Sequence, residues 1–131
     1  MKQVLTIHVT LHQTVEMPGG DHTVRMILFD GHCDSDYFKG NILDGGVDTQ
    51  VISEDGTGTL SARYILEGTD PEGNNCRIFI ENNGKMTPGE PTVTTPVIYT
   101  SSKALKWLET AVLTGTVLPA DNGVLISIFA D

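Results

Sequence analysis

Positive charge is scarce in this sequence. Only 8 Lys and Arg stand against 17 Asp and Glu over 131 residues, a formal net charge of −9. A nucleic-acid binder needs a basic footprint, and an anionic membrane surface selects the same charge, so neither partner is expected. The acidic surplus serves solubility. Cysteine is nearly absent. Cys33 and Cys76 stand without CxxC or Cys/His ligand spacing, the usage of a cytoplasmic protein with reduced thiols, although the sequence leaves a single Cys33–Cys76 bridge open. Long apolar runs are missing too. The opening MKQVLTIHVTLHQT alternates polar and apolar residues, whereas a signal peptide needs an unbroken apolar core and a membrane helix about 20 apolar residues. A cytoplasmic location is therefore expected.

Motifs of cofactor and metal chemistry are also lacking. There is no P-loop, G-x-S-x-G, G-x-G-x-x-G or H-x-H, and no cofactor is expected. His8 and His12 share a strand face but lie about 13 Å apart along it, too far for one ion. His32, Cys33, Asp34 and Asp36 cluster in sequence without the roughly four convergent ligands of a zinc site. Neighbours such as His32 and Cys33 point to opposite faces of extended chain, which disfavours a thiol–imidazole dyad. The DPEGNN stretch lacks the frame and terminal glutamate of a calcium loop and reads as a turn. No metal site is expected.

What the sequence does contain is strand. A chain of 131 residues fits one domain, residues 1–131, and buries about two-thirds of its unfolded surface. Leu5, Ile7, Val9, Leu11 and Val15 share one parity while Thr6, His8, Thr10, His12 and Thr14 share the other, the period-two signature of a half-buried strand. Further strands are expected at residues 23–30, 47–53, 59–68, 76–82 and 123–130, separated by Gly-, Asn- and Pro-rich turns, with 31–41 as a polar loop. Residues 91–101 form a broken or edge strand, because Pro96 cannot donate a ladder hydrogen bond. One segment differs: Leu105, Leu108 and Val112 recur at helical spacing after the N-cap candidates Ser101 and Ser102, which predicts one short helix near residues 102–113. Trp107 lies beside that stripe, placed either to anchor the helix or to stack on a ligand. Seven or eight short strands with hairpin turns predict an all-β fold, a single antiparallel barrel of about eight strands, whose interior is filled by side chains or holds one small ligand.

The stretch LDGGVD followed by DGTGTLSARYIL supplies the candidate site. If the hairpin turns at Asp55–Gly56, Asp48 faces Arg63 across the ladder, and the two form a charge-assisted pair. Leu60, Ala62, Tyr64 and Leu66 make the more apolar face of their strand. On that ground Arg63 points outward in a surface ion pair; the alternative lines a polar lumen with Arg63 and Asp48.

Taken in order, GNILDGGVDTQ, LSARYILEGTDPEGNNCRIFIENNGK, TTPVIYTSSKALKWLE and GVLISIFAD resemble the bacterial domain of unknown function 3237 family over residues 36–131. The resemblance implies a small allene-oxide-cyclase-like or lipocalin-like barrel and brings no established activity. It points to Asp48, Arg63, Tyr64 and Asn82 as its polar positions, and departs at Thr49, where many members carry an aromatic. Three functions follow as expectations. The first is a small-molecule-binding barrel using Asp48, Arg63, Tyr64, Asn82 and Trp107. The second is an isomerase or cyclase, in which Arg63 holds an oxygen while Tyr64 or Asp48 moves a proton. The third is a structural barrel that forms a homo-oligomer.

Overall fold

The computed structural model describes residues 1–131. Period-two alternation becomes strand along most of the chain: β1 (Lys2–Pro18), β2 (His22–Asp34), β3 (Lys39–Ile42), β4 (Val47–Ser53), β5 (Gly58–Thr69), β6 (Asn75–Met86), β7 (Thr92–Thr100), β8 (Leu113–Ala120) and β9 (Gly123–Ala130). All pairings are antiparallel, in the order β1-β9-β8-β7-β6-β5-β3-β2-β4, and the further β1–β2 and β5–β4 pairings close the sheet on itself. Because β3 and β4 both lie between β2 and β5, the nine segments fill eight positions around a barrel.

The segment expected to be helical holds only a 3-10 turn, Lys106–Glu109. Leu105 and Leu108 are both fully buried, whereas Val112 is 68% exposed. Residues three apart eclipse in a 3-10 turn, so one turn suffices to seat both leucines in the barrel end, and Val112 adds no third contact. The N-cap position of this turn is Leu105, without a side-chain cap, rather than Ser101 or Ser102; Ser102 Oγ instead accepts from the Leu105 amide at 3.2 Å, just ahead of the turn. The chain beyond Val112 becomes β8, and much of the polar stretch 31–41 is strand rather than loop, shared between β2 and β3. Pro96 lies within β7, which pairs with β8 only over Thr92–Thr94; its missing N–H fits the end of that ladder.

The two ends of the barrel differ. At one, Phe38, Leu66, Ile78, Ile98, Leu105 and Leu108 are almost wholly buried and close the interior. The other end is open. Outside the wall, the rows Met17–Val24–Val51, Val15–Met26–Thr49 and Leu28–Val47 cross β1, β2 and β4, and Val15, Met17, Met26, Leu28 and Val51 are exposed. No helix is long and apolar enough to cross a membrane.

Candidate functional site

The site begins with the bulge between β3 and β4. Ile42 pairs with Leu66 and Val47 with Arg63, so the four residues Leu43–Gly46 stand against only Tyr64 and Ile65. The Leu43 amide donates to Ile65 O at 2.8 Å and the Phe29 amide to Gly46 O at 3.0 Å, holding both ends of the bulge. Gly45, at φ 109°, takes a conformation that side chains resist. Two surplus residues are an even number, so parity survives the bulge and Asp48 faces inward as Ile42 does.

The hairpin register separates Asp48 from its expected partner. Ser53 donates to Thr57 O at 2.7 Å, and Gly56 has φ 88°, so the loop is the three-residue form, Glu54–Gly56, rather than a two-residue turn. Asp48 therefore faces Ala62, and Arg63 pairs with Val47. A slip of one residue reverses the face. The Arg63 side chain is 61% exposed on the outer wall, with Nε 2.7 Å from Glu81 Oε1. The Asp48–Arg63 pair is thus corrected: Arg63 is an outer-wall cation and Asp48 an inner-wall carboxyl.

At the open end lies a cavity of about 170 Å³, walled by apolar residues such as Val9, Phe29, Leu60, Val117 and Ile126. Its polar members are Asp48, Gln50, Asn82 and Thr92, with no Lys, Arg or His. Asp48 and Asn82 sit in one inward row, Ile27–Asp48–Ala62–Asn82–Pro96, so about 10 Å of wall separates their backbones. Gln50 Nε2 donates to Asp48 Oδ2 at 2.9 Å, while Asp48 Oδ1 has no partner. Burial pushes the Asp48 carboxyl above its usual range, and hydrogen bonding from Gln50 and from the Ser61 backbone opposes this. Asn82 is 1% exposed. Its Oδ1 accepts from Thr94 Oγ1 at 3.1 Å, which leaves Nδ2 as a buried donor without a partner.

The other sequence candidates lie elsewhere. Tyr64 is buried, with Oη unpartnered and its ring edge-on to Phe29 at 5.3 Å. It does not line the cavity, and burial raises its hydroxyl far above the ordinary range, so it holds its proton. Trp107 is 41% exposed and packs edge-on against Tyr37 at 5.7 Å, away from the cavity lining. His8 stacks on His32 at 4.8 Å while His12 pairs with Asp30 at 2.9 Å. No three His, Cys, Asp or Glu side chains gather as ion ligands. Both cysteines are free and buried. Sequence reasoning missed Gln50, Thr94 and Gly115. Gln50 was within reach, since it shares the parity of Asp48. Gly115 gives no sequence signal: a Cβ there meets Thr94 Oγ1 at 2.2 Å, so glycine is what lets Thr94 reach Asn82.

Four similarities to known proteins bear on this barrel. A UPF0311 protein of Clostridium acetobutylicum is 33% identical over 89 residues, 66% of this chain and 54% of that protein, so the chain spans about half the length of this curated relative. A crystal structure of a protein with unknown function, also from Clostridium acetobutylicum, superposes with a TM-score of 0.85 at 26% identity, covering 98% of this chain and 94% of that one. An enzyme from Penicillium herquei superposes with a TM-score of 0.72 at 17% identity, covering 99% and 92%, a likeness of fold alone. The family model described as protein of unknown function (DUF3237) matches residues 1–94, taking in the β1–β2 hairpin, the GGVD bulge, the ARY strand and Asn82, and the chain belongs to that family.

Proposed function

We propose that the protein binds a small, partly apolar molecule in the open end of its barrel. One observation carries this: two residues that line the apolar cavity, Asp48 and Asn82, each have a buried polar atom, a carboxyl oxygen and an amide nitrogen, without a hydrogen-bond partner. Buried polar groups ordinarily find partners, and a lone orphan costs about 1–3 kcal/mol. Two unpartnered groups on residues that line one space fit a binding site, where a few placed polar groups orient an apolar ligand. The volume, about 170 Å³, suits a single ring, given that an apolar cavity of roughly 150 Å³ takes up benzene. A thermal-shift screen of ring-sized lipophilic compounds, followed by crystal structures of the hits, tests this. Ligand density between Asp48 and Asn82 is expected; hits that all bind outside the barrel would overturn it.

A second reading, an isomerase or cyclase, is favoured by the chemistry of Asp48. A carboxyl raised by burial moves nearer the range in which it both gives and takes a proton, and the Asn82 amide faces the same cavity as a donor for a developing negative oxygen. In this reading Asp48 rather than Tyr64, of the two expected, is the proton carrier, and Asn82 replaces Arg63 as the oxygen ligand. Once a ligand is found, Asp48→Asn decides: turnover lost with binding kept supports catalysis, and no turnover in the parent protein leaves a binder.

The outer rows across β1, β2 and β4 favour association with a second copy of the chain. Val15, Met17, Met26, Leu28 and Val51 are exposed and uncharged on a chain of net charge −9, so two copies meet there without opposing charges. Sedimentation velocity of Met26→Glu against the parent tests it, with a shift toward monomer expected.

A further inference from the structure

We propose that the lumen selects an uncharged, ring-sized molecule bearing a carbonyl oxygen that accepts from Asn82 Nδ2 and a hydroxyl that donates to Asp48 Oδ1. This rests on the lumen-binding reading above and narrows its ligand class.

The polarity of the two poles sets the requirement. Thr94 Oγ1 donates to the carbonyl oxygen of Asn82 at 3.1 Å, and Nδ2 is the Asn82 side-chain atom left without a partner. Its N–H donors need an acceptor, and the amide is 1% exposed, beyond the reach of bulk water. At the other pole, Gln50 engages Asp48 Oδ2 at 2.9 Å, which leaves Oδ1 as the free acceptor. A molecule that satisfies both poles carries an acceptor on one side and a donor on the other, across an apolar ring. Ala62 stands between them in the row, and its methyl group leaves the ring space.

Charge narrows the class further. No Lys, Arg or His lines the cavity, and Arg63, the cation the sequence offered, is on the outer wall with Glu81. An anionic ligand would meet Asp48 with no compensating cation. An ammonium group would satisfy Asp48, but it would lose its own hydration in an apolar chamber and still leave Asn82 without an acceptor. The neutral hydroxy-carbonyl class leaves neither pole unpaired.

The test is a matched ring series titrated into ¹⁵N-labelled full-length protein: 4-hydroxycyclohexanone, cyclohexanone, methylcyclohexane, cyclohexanecarboxylate and cyclohexylammonium. The Asn82 side-chain NH2 resonances are expected to move with both ketones. The hydroxyketone is expected to bind about tenfold or more tighter than methylcyclohexane, its hydrogen bonds to the Asn82 amide and the Asp48 carboxylate contributing about threefold or more each. The carboxylate is expected to leave lumen resonances unmoved. Asn82→Leu is expected to erase the preference for ketone over hydrocarbon; the parent titration decides alone if that variant fails to fold. Carboxylate or ammonium binding as tight as ketone, or ketone binding with Asn82 unmoved, would overturn the inference. If methylcyclohexane binds as well as the ketones, lumen binding stands and the carbonyl selectivity fails. If no probe moves Val9, Leu60 or Ile126, the lumen-binding reading fails with it.

Discussion

Asp48 and Asn82 stand in one cross-strand row with only Ala62 between them; both line the same cavity, and each has a buried side-chain atom without a partner. The arrangement is costly to an empty barrel. Ionised Asp48 keeps one oxygen in an apolar chamber, and burial accordingly raises its carboxyl above the unfolded value of 3.8.

That shift fixes a dependence on pH. A carboxyl whose folded pKa is raised binds its proton more tightly in the native state, so it costs nothing below 3.8. The cost grows as pH rises from there through the raised folded value, and is fully present above it. Asp48→Asn keeps an acceptor for Gln50 and removes the charge. The variant is expected to be more stable than the parent at neutral pH, with the advantage shrinking to nothing in acid. Urea unfolding at both conditions measures it, and an advantage that persists undiminished in acid would show that the Asp48 charge is not its origin.

Arg63 gives the complementary prediction. Its partner is Glu81 on the outer wall and its side chain is 61% exposed, so the pair is an ordinary surface ion pair. Arg63→Ala is expected to cost less than about 1 kcal/mol and to leave lumen binding unchanged. Lumen affinity that falls as far as it does on altering Asp48 would refute that outer-wall assignment.

The contrast between these residues shows how far the sequence carries. Parity alone placed Leu60, Ala62, Tyr64 and Leu66 inward and so Arg63 outward, and all four are buried. The error lay in one turn. An Asp-Gly pair suggests a two-residue hairpin, but the chain closes Ser53 on Thr57 around Glu54–Gly56, which moves the partner of Asp48 from Arg63 to Ala62. Nothing local in EDGTG distinguishes the two loops. The 3-10 turn failed differently: the spacing of Leu105 and Leu108 fits both helix types, and only the end of the barrel, which needs two apolar plugs, decides how many turns form. Gly115 and Thr94 were illegible because their relation to Asn82 exists only after β6, β7 and β8 are neighbours.

Gly115 therefore carries its own prediction. A Cβ at that position meets Thr94 Oγ1 at 2.2 Å and comes within 3.5 Å of Asn82 Oδ1. Either Thr94 rotates and its hydrogen bond to Asn82 is lost, or the β7–β8 ladder spreads and the bond survives. Gly115→Ala is expected to destabilise by about 1–3 kcal/mol, the range for overpacking an interior. It is also expected to release the Asn82 amide from its fixed orientation, seen as a shift and broadening of its side-chain resonances. Destabilisation with unchanged Asn82 resonances would mean that the β7–β8 ladder spreads instead, and the absence of both effects that glycine is dispensable there.

At the closed end, Ser102 ties the β5–β6 turn to the plug. Its Oγ donates to Asp70 Oδ2 at 2.7 Å and accepts from the Leu105 amide at 3.2 Å, while Asp70 Oδ1 accepts from the amides of Glu72 and Asn74 at 2.9 and 3.0 Å. These bonds, led by that from Ser102, hold the Asp70 carboxyl below its ordinary value of 3.8. A depressed folded pKa contributes stability that is present above 3.8 and lost as pH falls through the lower folded value. Ser102→Ala removes the hydrogen bond that does most to hold the Asp70 carboxyl down. The gap in unfolding free energy between parent and variant is therefore expected to be widest at neutral pH and to narrow in acid, the opposite trend in the parent to that imposed by Asp48. Measured on Asp48→Asn as the background, the acid loss of stability reports this network free of the Asp48 contribution. A gap of constant width across that range would assign Ser102 to packing the plug rather than to holding the Asp70 charge.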